Sequence, residues 1–435
     1  MLEKAIIHIG LHKTGSSSIQ SSLLGYNDGF CFYADLGWAN HSIPLYTAFS
    51  NNANSYHIWD KQGFSPEQIQ GIKKEVLLQL EQQLSKPNCN TIVFSGEDLS
   101  TLSQSETHAL VAFLRERCQR IVAVVYVRDP LDFAASAFQQ LVKGGCAQIP
   151  RNIGQQIQHK IGIWEQVLGA ENVQIRSFDR EKLRNGCVVQ DFCHLAGVDP
   201  AKIAIKRKNE SINGAAVKVL FHLNQTSPLQ FGDPSLVRTR QRLLKVLSVT
   251  FADLPVIDKH FFVDLVDQHD IEYLRVNQLI NFSNRALANS PLDPSLDQWL
   301  VDLDPEIHAR LCAWLIEQGH ITSWHGSTSQ LIHRTFYAIL QTDLLNTNSS
   351  LLRKSALSLR DHSAGNVSDS MALLELARMG SPFSRKIKQA FKKLHLEPEV
   401  NRRRAATAPG PSGACSATWW SRASRWWRKR CCTRC

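Results

Sequence analysis

The chain has 435 residues, 43% apolar and 20% charged, the balance of a globular protein with a sizeable core and room for two or three domains. Its net charge of +10 is misleading: nine basic and no acidic residues lie between Asn401 and Cys435, leaving the first 400 residues at about +1. Charge therefore gives no ground for reading the body as a nucleic-acid or membrane binder; that reading is confined to the tail.

The N-terminus runs from Met1-Leu2-Glu3-Lys4 directly into the apolar run Ala5–Ile9. There is no signal-like region and no stretch of about 18 apolar residues, so a cytoplasmic chain without a transmembrane segment is expected. Seven of the eleven cysteines are scattered through the body without a framework spacing, which suggests reduced thiols.

Ala5–Ile9 reads as a buried strand, followed by a glycine-bearing turn and a helix over Ser16–Leu24. Val76, Leu77, Leu80 and Leu84 repeat at helical spacing and predict a helix over Lys73–Leu84. Thr91–Phe94 is a second strand, ending in Ser95-Gly96-Glu97-Asp98, and Thr107–Arg117 is an amphipathic helix. Ile121–Val127 is the longest apolar run, a buried strand by its length and valines. Asp129 then caps, and Pro130 opens, a helix to about Val142. Val173–Ile175 is a fourth strand, with a helix near Cys187–Ala196. Strands alternating with helices predict a parallel sheet covered on both faces.

Beyond Asn209 the pattern becomes helical, as in Ala215–Leu223 and Asp270–Leu287. A boundary is placed at Pro291-Leu292-Asp293-Pro294. The expected organisation is an α/β domain over 1–292, a helical extension over 293–400, and a basic Arg/Trp/Cys tail over 401–435 with no periodicity to build a core.

The segment Gly10-Leu11-His12-Lys13-Thr14-Gly15-Ser16-Ser17 nearly fits the nucleotide P-loop, G-x-x-x-x-G-K-[ST]. Its lysine sits inside the loop, and Ser16 follows Gly15. Glycines and a helix start still make an anion cradle, and Lys13 adds a point charge. The arrangement that holds the β/γ-phosphates and magnesium of ATP is missing.

Lys13-Thr14-Gly15-Ser16-Ser17 resembles the 5′-phosphosulfate loop, K-[ST]-G-[ST]-[ST], of sulfotransferases that use 3′-phosphoadenosine 5′-phosphosulfate (PAPS). The longer string from His8 to Gly15 resembles their bacterial branch. The resemblance implies an α/β, P-loop-like three-layer sandwich with a central parallel sheet, here carrying a mostly helical C-terminal extension. It implies PAPS as co-substrate, a hydroxyl on an acceptor such as a carbohydrate or glycolipid, and no metal. Lys13 would contact the bridging oxygen of the donor. Thr14, Gly15, Ser16 and Ser17 would contact its phosphate, with His12 inside the same loop either binding donor or packing.

A second segment carries the same resemblance. Arg128 ends a strand, Pro130 follows in a turn, and Ser136 lies eight residues on, the family's 3′-phosphate spacing. An arginine at a strand's carboxyl edge offers a planar fork to phosphate. Phe178, in Val173–Asp179, resembles the residue beside the adenine, though a core phenylalanine fits equally. Lys206-Arg207-Lys208 either closes over the 3′-phosphate, with Lys208 contacting it, or is a solvated charge run.

Sulfuryl transfer needs a general base for the acceptor hydroxyl. Glu97 is the first choice, because it follows a strand at the edge where the donor loops lie. Asp98 competes, either can cap the next helix, and His41 and His57 lie in an irregular stretch that can border an acceptor. The alternatives are a P-loop kinase using ATP and magnesium, which requires a lysine where Ser16 stands, and a non-catalytic nucleic-acid or membrane binder acting through the tail.

Overall fold

The computed structural model describes residues 1–85, 89–206, 211–226, 234–279 and 294–362, and within 370–395 residues 370, 371, 373, 374, 377, 378 and 384–395. Five strands, β1 (Leu2–His8), β2 (Cys31–Tyr33), β3 (Thr91–Ser95), β4 (Cys118–Val127) and β5 (Val173–Ser177), form one sheet in the order β2-β3-β1-β4-β5. Every pairing is parallel, with Ile6 beside Val93 on one side and Val122 on the other. The helices of this region are α1 (Ser16–Leu23), α2 (Ser42–Phe49), α3 (His57–Gln62), α4 (Pro66–Leu84), α5 (Gln104–Arg115), α6 (Pro130–Lys143), α7 (Ile157–Leu168) and α8 (Val188–Ala196).

The expected parallel sheet covered on both faces is present. Side-chain alternation sorts the strands cleanly. Ala5, Ile7, Ile92, Phe94, Ala123 and Val125 face a core with residues of α4, α5 and α7. Ile6, Val93, Val122, Val124 and Tyr126 face the opposite core with Ile19, Leu23, Val189 and Phe192 of α1 and α8. Continuous apolar runs in β1, β3 and β4 follow from burial on both sides.

Differences from the sequence reading are local. β2 has only three residues, too few for a pattern, and exists through its pairing with β3. α4 begins at Pro66, before the first regular apolar repeat, because Ser65 and Gln68 close a capping box with Pro66 in the first turn. α5 likewise starts early, at the Ser103–Glu106 capping box. α6 has the expected start: Asp129 accepts from the amides of Leu131 and Asp132.

The chain continues into α9 (Gly214–Thr226), α10 (Pro234–Thr250), α11 (Gln268–Val276), α12 (Leu296–Val301), α13 (Pro305–Glu317) and α14 (Thr328–His362). α11 stops well short of the expected Leu287: Gln278 takes a left-handed backbone, φ 51°, and the amide of Leu279 turns back to the Leu274 carbonyl. Residues 280–293, where the boundary is expected, lie outside the described residues. Compact packing extends from Met1 to Leu340, with Leu296, Leu300, Ile307, Leu311 and Leu331 in one core with Phe138, Leu220 and Leu247. A second unit comprises 341–435, in which Ala356, Leu374 and Ala390 are buried together. The expected tail, 401–435, is outside the described residues. Among the described residues, no helix is long and apolar enough to cross a membrane.

Two histidines are built into the sheet's carboxyl edge. His8 is fully buried, with Nδ1 2.8 Å from the Ser95 hydroxyl. His41 is also buried. It accepts the Ser95 amide at Nδ1 (3.1 Å), so its Nε2–H donates to the Ala34 carbonyl (2.9 Å). Burial pushes both imidazoles down to about 3. Below about pH 6.5 the unfolded chain holds more protons than the folded one. Their contribution is thus complete above that pH and drains away as pH falls toward 3. The thermal midpoint is expected to drop between pH 7 and pH 5, more steeply for the parent than for His8→Phe; parallel profiles for the two would contradict this.

Candidate functional site

The order of the sheet makes a crevice. The chain leaves β1 toward β2 on one side and leaves β4 toward β5 on the other, so the carboxyl ends of β1 and β4 form a topological switch point, the place where such sheets bind ligands. The loop 10–15 follows β1, and Arg128 follows β4.

Gly10 has φ 84° and lies against β3's exit: a Cβ there would sit 2.5 Å from the Cα of Glu97. Glycine is thus required both for the backbone conformation and for the approach. The carbonyls that follow are each taken by a side-chain donor. Thr14 Oγ1 donates to Leu11 O (2.6 Å), Gln155 Nε2 to His12 O (3.2 Å) and Arg128 Nη1 to Lys13 O (3.1 Å). Lys13 itself is left-handed at φ 64°, which costs a non-glycine residue about 1–2 kcal/mol. Gly15, φ 83°, ends the loop and accepts from the amides of Ser18 and Ile19. The amides of Ser16 and Ser17 precede these first helical bonds. α1 carries neither a side-chain cap nor an acidic residue in its own first turn.

Phe178 closes one side. Its amide donates to Val127 O (2.7 Å), its ring lies 3.1 Å from where a Gly15 Cβ would be, and the Arg128 guanidinium lies 5.6 Å from its centroid. Loop, Arg128 and Phe178 thus form one packed group. Ser136 stands about two turns into α6, half-buried and without a described hydrogen-bond partner. Lys206 is held through its amide to the Ser22 hydroxyl (2.9 Å), while Arg207 and Lys208 lie outside the described residues.

Cations crowd this end. Burial lowers the Lys13 amine, Arg128 lowers it further, and Glu97 partly offsets them. Arg128 is lowered by burial, against the pull of Asp132 and Asp129. Lys143, the last residue of α6, is lowered by burial and then by Lys13. Burial thus disfavours the charged form of all three, and a neighbouring cation adds to this at Lys13 and Lys143. Lys143 was not legible as a site residue, since nothing local in the sequence marks the end of α6 as a neighbour of Lys13.

Opposite the cations, a 3-10 turn over Glu97–Thr101 brings two carboxylates beside His12. His12 Nδ1 lies 3.9 Å from Glu97 Oε2, and Nε2 lies 3.6 Å from Asp98 Oδ1. The two acids are not equivalent. Asp98 accepts from the Tyr56 hydroxyl (2.5 Å), and its amide donates to Ser42 Oγ (2.9 Å). Glu97 is raised by burial and by Asp98, and lowered by His12 and Lys13. The buried Ser16 hydroxyl lies beside it, near enough to favour its charge yet without a well-formed hydrogen bond. His41 serves the backbone, as described above, while His57 is exposed, its ring edge-on to Tyr56 at 4.8 Å.

The structure therefore brings His12, Lys13, Thr14, Gly15, Ser16, Ser17, Glu97, Arg128 and Phe178 to one edge of the sheet. Thr14 and Arg128 already spend a donor on the loop itself. No family model, no curated protein and no solved structure matches the chain.

The close approach at Gly10 can be measured against Gly25, which has φ 81° but nothing within 4 Å of a built Cβ. Gly25→Ala is expected to cost about 1–2 kcal/mol for its backbone alone. Gly10→Ala should cost about 1–3 kcal/mol more, from the clash with Glu97. Equal losses in urea unfolding would show that the approach carries no constraint.

Proposed function

We propose that this chain is a PAPS-dependent sulfotransferase of P-loop-like fold, moving a sulfuryl group to an acceptor hydroxyl and releasing 3′-phosphoadenosine 5′-phosphate (PAP). The observation that carries the reading is one group of contacts. The loop bearing Lys13 is tied by its Lys13 carbonyl to Arg128, with Phe178 packed on Gly15 and Glu97 facing the same loop. A donor with an anion at each end of its nucleotide would match cations placed at two adjacent strand ends.

In this reading the amides at the start of α1 and the Lys13 ammonium hold the 5′-phosphosulfate. Arg128 uses its remaining N–H groups for the 3′-phosphate, with Ser136 and Lys208 as further contacts, and Phe178 packs beside the base. Glu97 takes the proton of the acceptor hydroxyl as its oxygen bonds to sulfur. The bond from sulfur to the bridging oxygen breaks, and Lys13 steadies the negative charge gathered on the departing phosphate. Asp98 suits the role less, because its carboxylate already accepts from Tyr56. Ser16, where ATP-binding loops place lysine, lies buried beside Glu97, which speaks against the kinase reading.

Glu97 acts as a base only when ionised. Since burial raises its pKa, kcat/KM should fall with decreasing pH along a limb lying above the ordinary carboxylate range. Calorimetry is expected to show micromolar-class binding of PAP and much weaker binding of ATP; the reverse would overturn the proposal. Lys13→Ala should weaken PAP binding. Glu97→Gln should bind PAP normally yet lose about 10²–10⁴-fold in transfer from labelled PAPS to carbohydrate or glycolipid acceptors. Unchanged transfer would remove Glu97 from the chemistry.

A further inference from the structure

The His12 carbonyl is held by a residue that the motif does not contain. Gln155 is 4% exposed; its Nε2 donates to His12 O at 3.2 Å, and its Oε1 is buried without a partner among the described residues. Gln155 does not stand alone. Asp270, 2% exposed on α11, accepts three consecutive backbone amides through its carboxylate: Gln155 and Gln156 at Oδ2 (2.6 and 3.1 Å) and Ile157 at Oδ1 (2.6 Å).

These are the amides that open α7. Gln156 is left-handed, φ 56°, and provides no side-chain cap of its own. A buried carboxylate from another helix therefore serves as the cap, where the positive end of α7 favours it. The connection is stitched along its length. The Ile153 amide donates to Leu265 O (2.6 Å), and Gly154 lies so close to Asp267 that a Cβ would fall 2.7 Å from the Asp267 Cβ. Residues 153–157 thus hang on 265–270, and the end that projects from this frame is the Gln155 amide, reaching the loop.

We infer that Gln155 and Asp270 are positioning residues for the loop at 10–15. Asp270 fixes the start of α7, Gln155 is thereby aimed, and the His12 carbonyl is drawn toward α7, which turns the peptide's N–H edge away from it. The strut is a matter of geometry. Only its consequence for donor binding rests on the sulfotransferase reading.

The informative variant is Gln155→Leu in the full chain. It removes the bond to the loop and also the unpartnered buried oxygen, so global stability should change little. The expected result is a thermal midpoint within about 2 °C of the parent, amides of residues 9–17 exchanging about tenfold faster by mass spectrometry, and PAP binding about tenfold weaker. Asp270→Asn, which puts amide hydrogens among the three N–H groups, should loosen the loop further and also lower the midpoint. Unchanged exchange at 9–17 in Gln155→Leu would sink the strut whatever the ligand. A lowered midpoint without loop-specific exchange would sink it too, because it would mark a purely structural glutamine. Faster loop exchange in a chain whose parent fails to bind PAP would keep the strut and reject the donor assignment.

Discussion

A parallel sheet covered on both faces has nowhere to put polar chemistry except its strand ends. Here the inner stretches of β1, β3 and β4 are apolar on both faces, and the chain changes character where each leaves the sheet: Gly10 after β1, Glu97 after β3, Arg128 after β4. Because β1 lies between β3 and β4, these three exits are neighbours by construction. Everything distinctive about the site depends on that adjacency, from the pressing of Gly10 on Glu97 to the bond between Arg128 and the Lys13 carbonyl.

The loop is a conformation held against its own preference. Lys13 sits in left-handed backbone without glycine's freedom, and persists because the carbonyls of Leu11, His12 and Lys13 are each engaged from a different direction. Such bracing fixes the loop between Arg128, Gln155 and its own Thr14 hydroxyl. The crowding of Lys13 by Arg128, and of Lys143 by Lys13, disfavours their charged forms, a cost that an anion held between them would reduce.

The opposite wall divides its labour between two adjacent acids. Tyr56 and Ser42 hold Asp98 and its backbone, while Glu97, against the loop, stays destabilised as an anion. Neighbouring carboxylates with different surroundings take different roles, and that asymmetry comes from the side chains arriving from α2 and the segment before α3.

Much of this was legible in the amino-acid order. The apolar runs of β1, β3 and β4 predict themselves because two-sided burial leaves no polar position in them. Gly10, Lys13 and Gly15 are informative because local backbone demands and charge act within a few residues. Asp129 and Pro130 announce α6 for the same reason. What the tertiary structure alone decided involves partners far apart in the chain. β2 is a strand only beside β3. His41 is a backbone ligand only because Ser95 and Ala34 meet it. Lys143 joins the cations, and Asp270 reaches Gln155 and the loop, through contacts spanning more than a hundred residues. Periodicity and capping report the forces within one element. Nothing in them records which distant side chain will fill the space beside a given carbonyl, and at this site those distant side chains set the geometry.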